Sequence, residues 1–175
     1  MDSTQLENRI HQLMPDGKSG KRNLLPLYAD GEALQALIAY LAEPFRGTVD
    51  YVCSPESLGF IIGSMLAKEL GVGFVAIRRN RQFPARPEEQ LMASFIDHRD
   101  QVTFLSTGRI LLPEGSRVLL ADDWIETAAT IQACMNIIED AGCKLAGIAA
   151  VGADYRSAAH DLIDAGMVRC ITVER

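Results

Sequence analysis

VLLADDWIETAAT, residues 118–130, decides the fold of this 175-residue chain. Its apolar run is too short for a helix and reads as a buried parallel strand. From Thr127 to Ala141 the period becomes helical, with Ile131, Met135 and Ile138 on one stripe. Asp122 and Asp123 therefore fall at the carboxyl end of a strand, where open α/β sheets bind ligands. The turn Thr127-Ala128-Ala129-Thr130 opens the helix, where unpaired backbone N–H groups and the helix dipole favour a phosphate. Carboxylates beside such a turn suit a ligand that carries hydroxyls or a metal as well as phosphate. The competing reading is a strand ending in solvated acids, with Thr127 as an N-cap.

Outward from this segment, strands and helices alternate. Val49–Cys53, Phe74–Ile77, Leu145–Val151 and Val168–Val173 read as strands. Helices are expected over Ala33–Leu41, ending before Pro44, over Leu58–Leu70, stopping at Gly71, and over Ser157–Ala165. Leu6, Ile10 and Leu13 mark a short N-terminal helix, followed by the polar breaker Pro15–Gly20. Residues 78–90 hold four arginines and two prolines without periodicity, which reads as a mobile loop. Met92–Ile96 and Val102–Leu105 then pair as a hairpin. The alternation predicts an α/β fold: a doubly wound, mostly parallel sheet flanked by helices.

Composition is consistent with one soluble globular domain, at 48% hydrophobic and 23% charged residues. A chain of this length buries roughly 70% of its unfolded surface. The formal charge of −6 argues against a general nucleic-acid or membrane surface. Cys53, Cys134, Cys143 and Cys170 lack zinc-ligand or CxxC spacing and read as reduced core or near-core residues. No signal peptide or membrane-length apolar run is evident, so a cytoplasmic location is expected.

Four matches in register carry a resemblance: the 118–130 stretch itself, Pro55-Glu56-Ser57-Leu58-Gly59-Phe60-Ile61 followed by Leu70–Arg78 (LGVGFVAIR), Ala93-Ser94-Phe95, and Pro113–Arg117 (PEGSR). The chain from about Leu24 to Val173 resembles the type I phosphoribosyltransferases, in their adenine phosphoribosyltransferase-like branch. The resemblance implies a domain over residues 24–175 with a flexible flap over 78–100, and a small N-terminal helical cap or arm over 1–23. It implies phosphoribosyl pyrophosphate as co-substrate, Mg2+ as cofactor and a homodimer.

By the same resemblance, Asp122 and Asp123 hold the ribose hydroxyls, the first through magnesium, while Glu126, Thr127, Ala128, Ala129 and Thr130 wrap the 5′-phosphate. Glu56, Ser57 and Arg78 meet the pyrophosphate, with Arg79 and Arg81 in a flap that also includes Arg86. An N-cap for the following helix is the ordinary alternative for Glu56 and Ser57. The family pattern is broken at several positions. Ala128 and Ala129 replace a glycine pair, which costs roughly 1 kcal/mol or more if the backbone is left-handed. Leu58 replaces an arginine and Gln82 a flap lysine. His98, flanked by Asp97 and Asp100, stands where the family's purine-handling flap glutamate is expected, and can act as acid or base near neutral pH. Trp124 replaces a smaller aliphatic residue, either lining the pocket or stabilising the core.

Two functions remain open on the sequence. One is transfer of 5-phosphoribose from phosphoribosyl pyrophosphate to a purine-type base, giving a nucleoside monophosphate and pyrophosphate. The other is a non-catalytic relative that binds phosphoribosyl pyrophosphate or a nucleotide as a sensor. A dinucleotide-binding sheet is disfavoured because no G-x-G-x-x-G follows an early strand.

Overall fold

The computed structural model describes residues 2–15, 22–79, 86–97, 100–155 and 159–174. Eight strands form one sheet in the order β3-β4-β2-β1-β5-β6-β7, with β8 also on β6. The strands are β1 Tyr51–Pro55, β2 Gly73–Arg79, β3 Gln90–Ile96, β4 Val102–Gly108, β5 Arg117–Ile125, β6 Lys144–Asp154, β7 Val168–Arg169 and β8 Thr172–Glu174. Pairings from β2 through β1, β5 and β6 to β7 and β8 are all parallel. The β3–β4 hairpin joins β2 antiparallel. The expected doubly wound, mostly parallel sheet is what forms.

Among the described residues, six α-helices flank it: α1 Ser3–Leu13, α2 Leu25–Ala29, α3 Gly31–Ala42, α4 Gly59–Leu70, α5 Ala129–Asp140 and α6 Ala159–Asp164. The strands bury both faces because successive side chains alternate sides. Leu119 and Ala121 of β5 pack in the cluster that contains α1, α3 and α4; Val118 and Leu120 pack in the one that contains α5 and α6. Alternate residues of β6 divide the same way, Ala149 and Val151 against Ile148 and Ala150. At α4, the helix comes close enough to β1 that a Cβ on Gly63 would lie 2.1 Å from Ser54 Oγ. That hydroxyl donates to the Ala121 carbonyl at 2.6 Å, tying β1 to β5.

Helix ends follow local chemistry. Asp2 and Gln5 form a capping box at α1, and Asp30 accepts from Ala33 N at 3.0 Å to start α3. α4 ends at Gly71, left-handed at φ 71°, as the sequence predicts. α1 is docked: Leu6, Ile10 and Met14 are buried, and Arg9 pairs with Asp30 at 2.6 Å.

Several boundaries differ from expectation. α2 is unpredicted, because five residues do not display a period. The expected strand Val168–Val173 is interrupted at Cys170 and Ile171 into β7 and β8. Both pieces hold one register on β6, Ile148 to Val168 and Gly152 to Thr172, and buried Ile171 keeps a backbone bond to the Val151 carbonyl at 3.2 Å. Strand order reaches into the arginine-rich loop, since β2 runs to Arg79, and exposed Arg86 bonds Glu89 at 3.0 Å through Nε. The cysteines are free, with Cys53 and Cys134 buried. Burial pushes the Cys53 thiol up to about 12, with a smaller contribution from Cys143. No helix is long and apolar enough to cross a membrane among the described residues.

Candidate active site

A cavity of about 920 Å³ opens over the carboxyl ends of β1, β5 and β6. Asp122 and Asp123 line it from the carboxyl-terminal half of β5, which continues through Trp124 to Ile125. Asp122 is only 7% exposed, and its Oδ1 accepts from Asp123 N at 2.9 Å. The first residue of α4 makes room for it: a Cβ on Gly59 would lie 2.8 Å from Asp122 Oδ1. Burial raises the Asp122 carboxyl well above its ordinary value, and the neighbouring Asp123 charge raises it further. Behind the pair lies Tyr28 of α2, whose hydroxyl is raised by burial and then by the charges of Asp123 and Asp122. Asp122 thus stores unfavourable desolvation that a cation or a hydrogen-bond donor at the site would relieve.

The 126–130 turn follows directly. Glu126, Thr127, Ala128 and Thr130 line the cavity. Helix α5 begins at Ala129, two residues later than expected, and its N-cap is Ala128 rather than Thr127. Ala128 is left-handed, at φ 57° and ψ −6°, and no side chain caps the helix. Its carbonyl accepts from Gln132 N at 2.8 Å, so the helix starts without the hydroxyl cap of the competing reading. The first turn of α5 thus begins beside the cavity, lined by Ala128 and Thr130, with no side-chain cap at Ala128.

Across the cavity, Glu56 and Ser57 leave β1 through a cis peptide bond. They do not cap α4, whose N-cap is Leu58 without a side-chain bond. Glu56 Oε2 accepts from Arg78 Nε at 2.9 Å and from Arg79 N at 3.1 Å, and Arg79 Nε donates to the Glu56 carbonyl at 2.9 Å. Burial opposes ionisation of Glu56, but the bonds from Arg79 and Arg78 outweigh it and hold its carboxyl below the ordinary value. Of the two arginines, Arg79 lines the cavity, with its guanidinium 5.8 Å from the centre of the Phe95 ring. Arg81, Gln82 and His98 lie outside the described residues.

The cavity also contains residues the sequence reading did not find: Arg22, Asp154 and Glu174. Arg22 is ion-paired with Glu174 and donates from Nη1 to the Met14 carbonyl at 3.2 Å. Asp154 and Glu174 are register partners on β6 and β8. Trp124 both lines the cavity and packs against the core. Its ring crosses Gly152, where a Cβ would lie 2.2 Å from Cζ3. No cluster of three or more His, Cys, Asp or Glu side chains among the described residues could hold a metal by itself. The acid pair fits a magnesium ion that takes most of its ligands from substrate oxygens and water.

The phosphoribosyl transferase domain family matches residues 26–174 of the chain. The adenine phosphoribosyltransferase of Renibacterium salmoninarum is 34% identical over 133 residues, 74% of this chain and 69% of that protein. That of Clavibacter michiganensis subsp. michiganensis is 35% identical over 147 residues, 81% of each chain. Among solved structures, adenine phosphoribosyltransferase from Rhodothermus marinus superposes with a TM-score of 0.85 at 26% identity, covering 97% of this chain and 99% of the other. The corresponding protein of Thermoanaerobacter pseudethanolicus gives 0.84 at 26%, covering 95% and 99%. With its sheet order, its acid pair and its helix-opening turn accounted for, the chain belongs to the phosphoribosyltransferase family.

Proposed function

We propose that this protein transfers 5-phosphoribose from phosphoribosyl pyrophosphate to a purine-type, adenine-like base, releasing pyrophosphate. The observation that carries the reading is the arrangement around β5. Buried Asp122 with half-buried Asp123, an uncapped helix start and the Glu56–Arg79 turn face one cavity. Asp122 and Asp123 accept the ribose hydroxyls and stabilise positive charge as the anomeric C–O bond breaks. The backbone N–H groups and hydroxyls of the 127–130 turn hold the 5′-phosphate, and Arg79 faces the departing pyrophosphate beside Glu56 and Ser57. A base nitrogen lone pair forms the new bond to the anomeric carbon, the electron pair of the broken C–O bond leaves with pyrophosphate, and the proton on that nitrogen is given up. Positioning and charge stabilisation supply the rate, without a covalent nucleophile.

Asp122 and Asp123 would help to hold Mg2+, which would supply charge neutralisation for the pyrophosphate. Arg78, at the end of β2, and Arg81 in the flap complete the pyrophosphate-binding assignment, and His98 is the candidate for the base's proton. A homodimer and a cytoplasmic location belong to the same reading. The division at residue 24 does too: an N-terminal arm ahead of a single catalytic domain.

Pyrophosphate release from phosphoribosyl pyrophosphate and magnesium, over a panel of bases, tests the proposal. Turnover with an amino-purine is expected. Folded protein that binds phosphoribosyl pyrophosphate, as seen by thermal shift, yet turns over no base would establish the sensor instead.

A further inference from the structure

Tyr28 of α2 keeps a buried hydroxyl beside the acid pair, and the transfer reaction proposed above leaves that group unused. Its Oη is closed off from solvent and has no hydrogen-bond partner among the described residues. The ring packs against the cluster of α1, α3 and α4, as Trp124 does from the cavity. Burial pushes the hydroxyl up, and the charges of Asp123 and then Asp122 push it further, so both carboxylates are within electrostatic reach. A buried hydroxyl without a partner is costly, and calls for one that arrives at another stage.

The two acids are held differently. Asp122 Oδ1 accepts from Asp123 N at 2.9 Å and is wedged against Gly59, where a Cβ would lie 2.8 Å away. Asp123 is half-buried and lines the cavity, where the hydroxyls of a ligand would meet it. α2 is placed to respond to such a ligand. It is five residues long, has no side-chain cap at Leu24, and begins at Leu24 and Leu25, which line the same cavity.

We propose that Tyr28 is a positioning residue for Asp123: when a pentose phosphate fills the cavity, the Tyr28 hydroxyl donates to one oxygen of the Asp123 carboxylate and leaves the other to accept from a ribose hydroxyl. A phenol has one O–H to donate and a carboxylate two acceptor oxygens, so both bonds form together. A charged acceptor in a site cleared of water makes the bond stronger than one between neutral groups. The role rests on the transferase reading only for its place in the reaction; the bond itself needs the pentose alone.

Tyr28→Phe removes one oxygen and keeps the ring. Wild type and variant are titrated with ribose 5-phosphate and with phosphoribosyl pyrophosphate, each with magnesium, by thermal shift and near-ultraviolet difference spectroscopy. The ligand-free variant should melt at the wild-type temperature or above it, since it loses no bond. Its dissociation constants for both ligands should rise about tenfold or more, the size expected for a hydrogen bond to a charged group. KM for the base should stay unchanged. A tyrosine difference band should accompany ligand binding in the wild type and be missing from the variant, whereas a ring that only packs has no such band to lose. A lower melting temperature for the free variant, equal affinities, no tyrosine band, or no saturable binding of ribose 5-phosphate by the wild type overturns the role. Binding with that band but without pyrophosphate release for any base sinks the transferase reading and leaves Tyr28 its role.

Discussion

Single residues set the energetics of the acid pair. Asp122 is kept largely from water, and its ionisation is opposed by burial and by Asp123. Asp122→Asn removes that penalty while preserving shape. The ligand-free variant should melt a few degrees higher than the wild type at pH 7, by about 2–4 °C for each kcal/mol gained. Its pyrophosphate release should fall by two orders of magnitude or more, on the order expected for losing a charge-stabilising group. A lower melting temperature would show that the carboxylate is instead paired in the folded state. Ala128 is strained in the way its substitution for glycine suggested from sequence. Ala128→Gly relieves roughly 1–2 kcal/mol of left-handed cost and adds back about 0.4–1 kcal/mol of chain entropy. A net gain of about 0–1.6 kcal/mol, centred at about 0.8 kcal/mol, in urea unfolding follows from those two figures. KM for phosphoribosyl pyrophosphate should fall as well, because the bare backbone admits phosphate more closely.

At the scale of elements, close approach between α4 and the sheet positions both halves of the site. Gly63→Ala would drive a methyl group into Ser54 and the ring of Phe74, at 2.1 Å and 2.9 Å. The Ser54 bond to Ala121, on the strand that carries the acids, would be displaced. Destabilisation of about 1–3 kcal/mol is expected from chemical denaturation, with activity reduced even where the protein remains folded. Elements were legible where their pattern is local. Short apolar runs gave β1, β5 and β6 and helical stripes gave α3, α4 and α5, all nearly in place, and Gly71 marked the end of its helix. α2 was not, since five residues containing Pro26 show neither period. The helix-opening turn and the acid pair were legible because they lie in one contiguous segment. Arg22, Asp154 and Glu174 were not, because their proximity is created by strand pairing between distant parts of the chain, not by any local spacing. Gly152 carried a faint signal: a glycine inside a strand often marks a close approach, here that of Trp124.

Over the whole molecule, opposed carboxyl shifts shape stability against pH. Asp50 is held at about 2 by the Arg117 guanidinium and backbone, below its ordinary value of 3.8. Its contribution is present above 3.8 and is lost as pH falls through about 2. Asp30 and Glu56 shift in the same direction. Asp122 works oppositely: its folded value is raised above 3.8, so the folded state binds the extra proton and stability declines as pH rises from that value through the folded one. Melting temperature of the ligand-free protein should therefore peak in mildly acidic solution. Asp122→Asn should flatten the decline on the alkaline side, and Asp50→Asn the loss on the acid side. A profile unchanged by either substitution would refute the assignment.

The Arg22–Glu174 pair joins positions 152 residues apart. Closing so long a span carries a large entropy cost before any contact is made, so this corner should assemble after the central strands. It should also be among the first regions to open. Amides around residues 22–25 and 172–174 should then exchange with deuterated solvent sooner than those of β5, leaving the acid-bearing strand protected while the end beside it breathes.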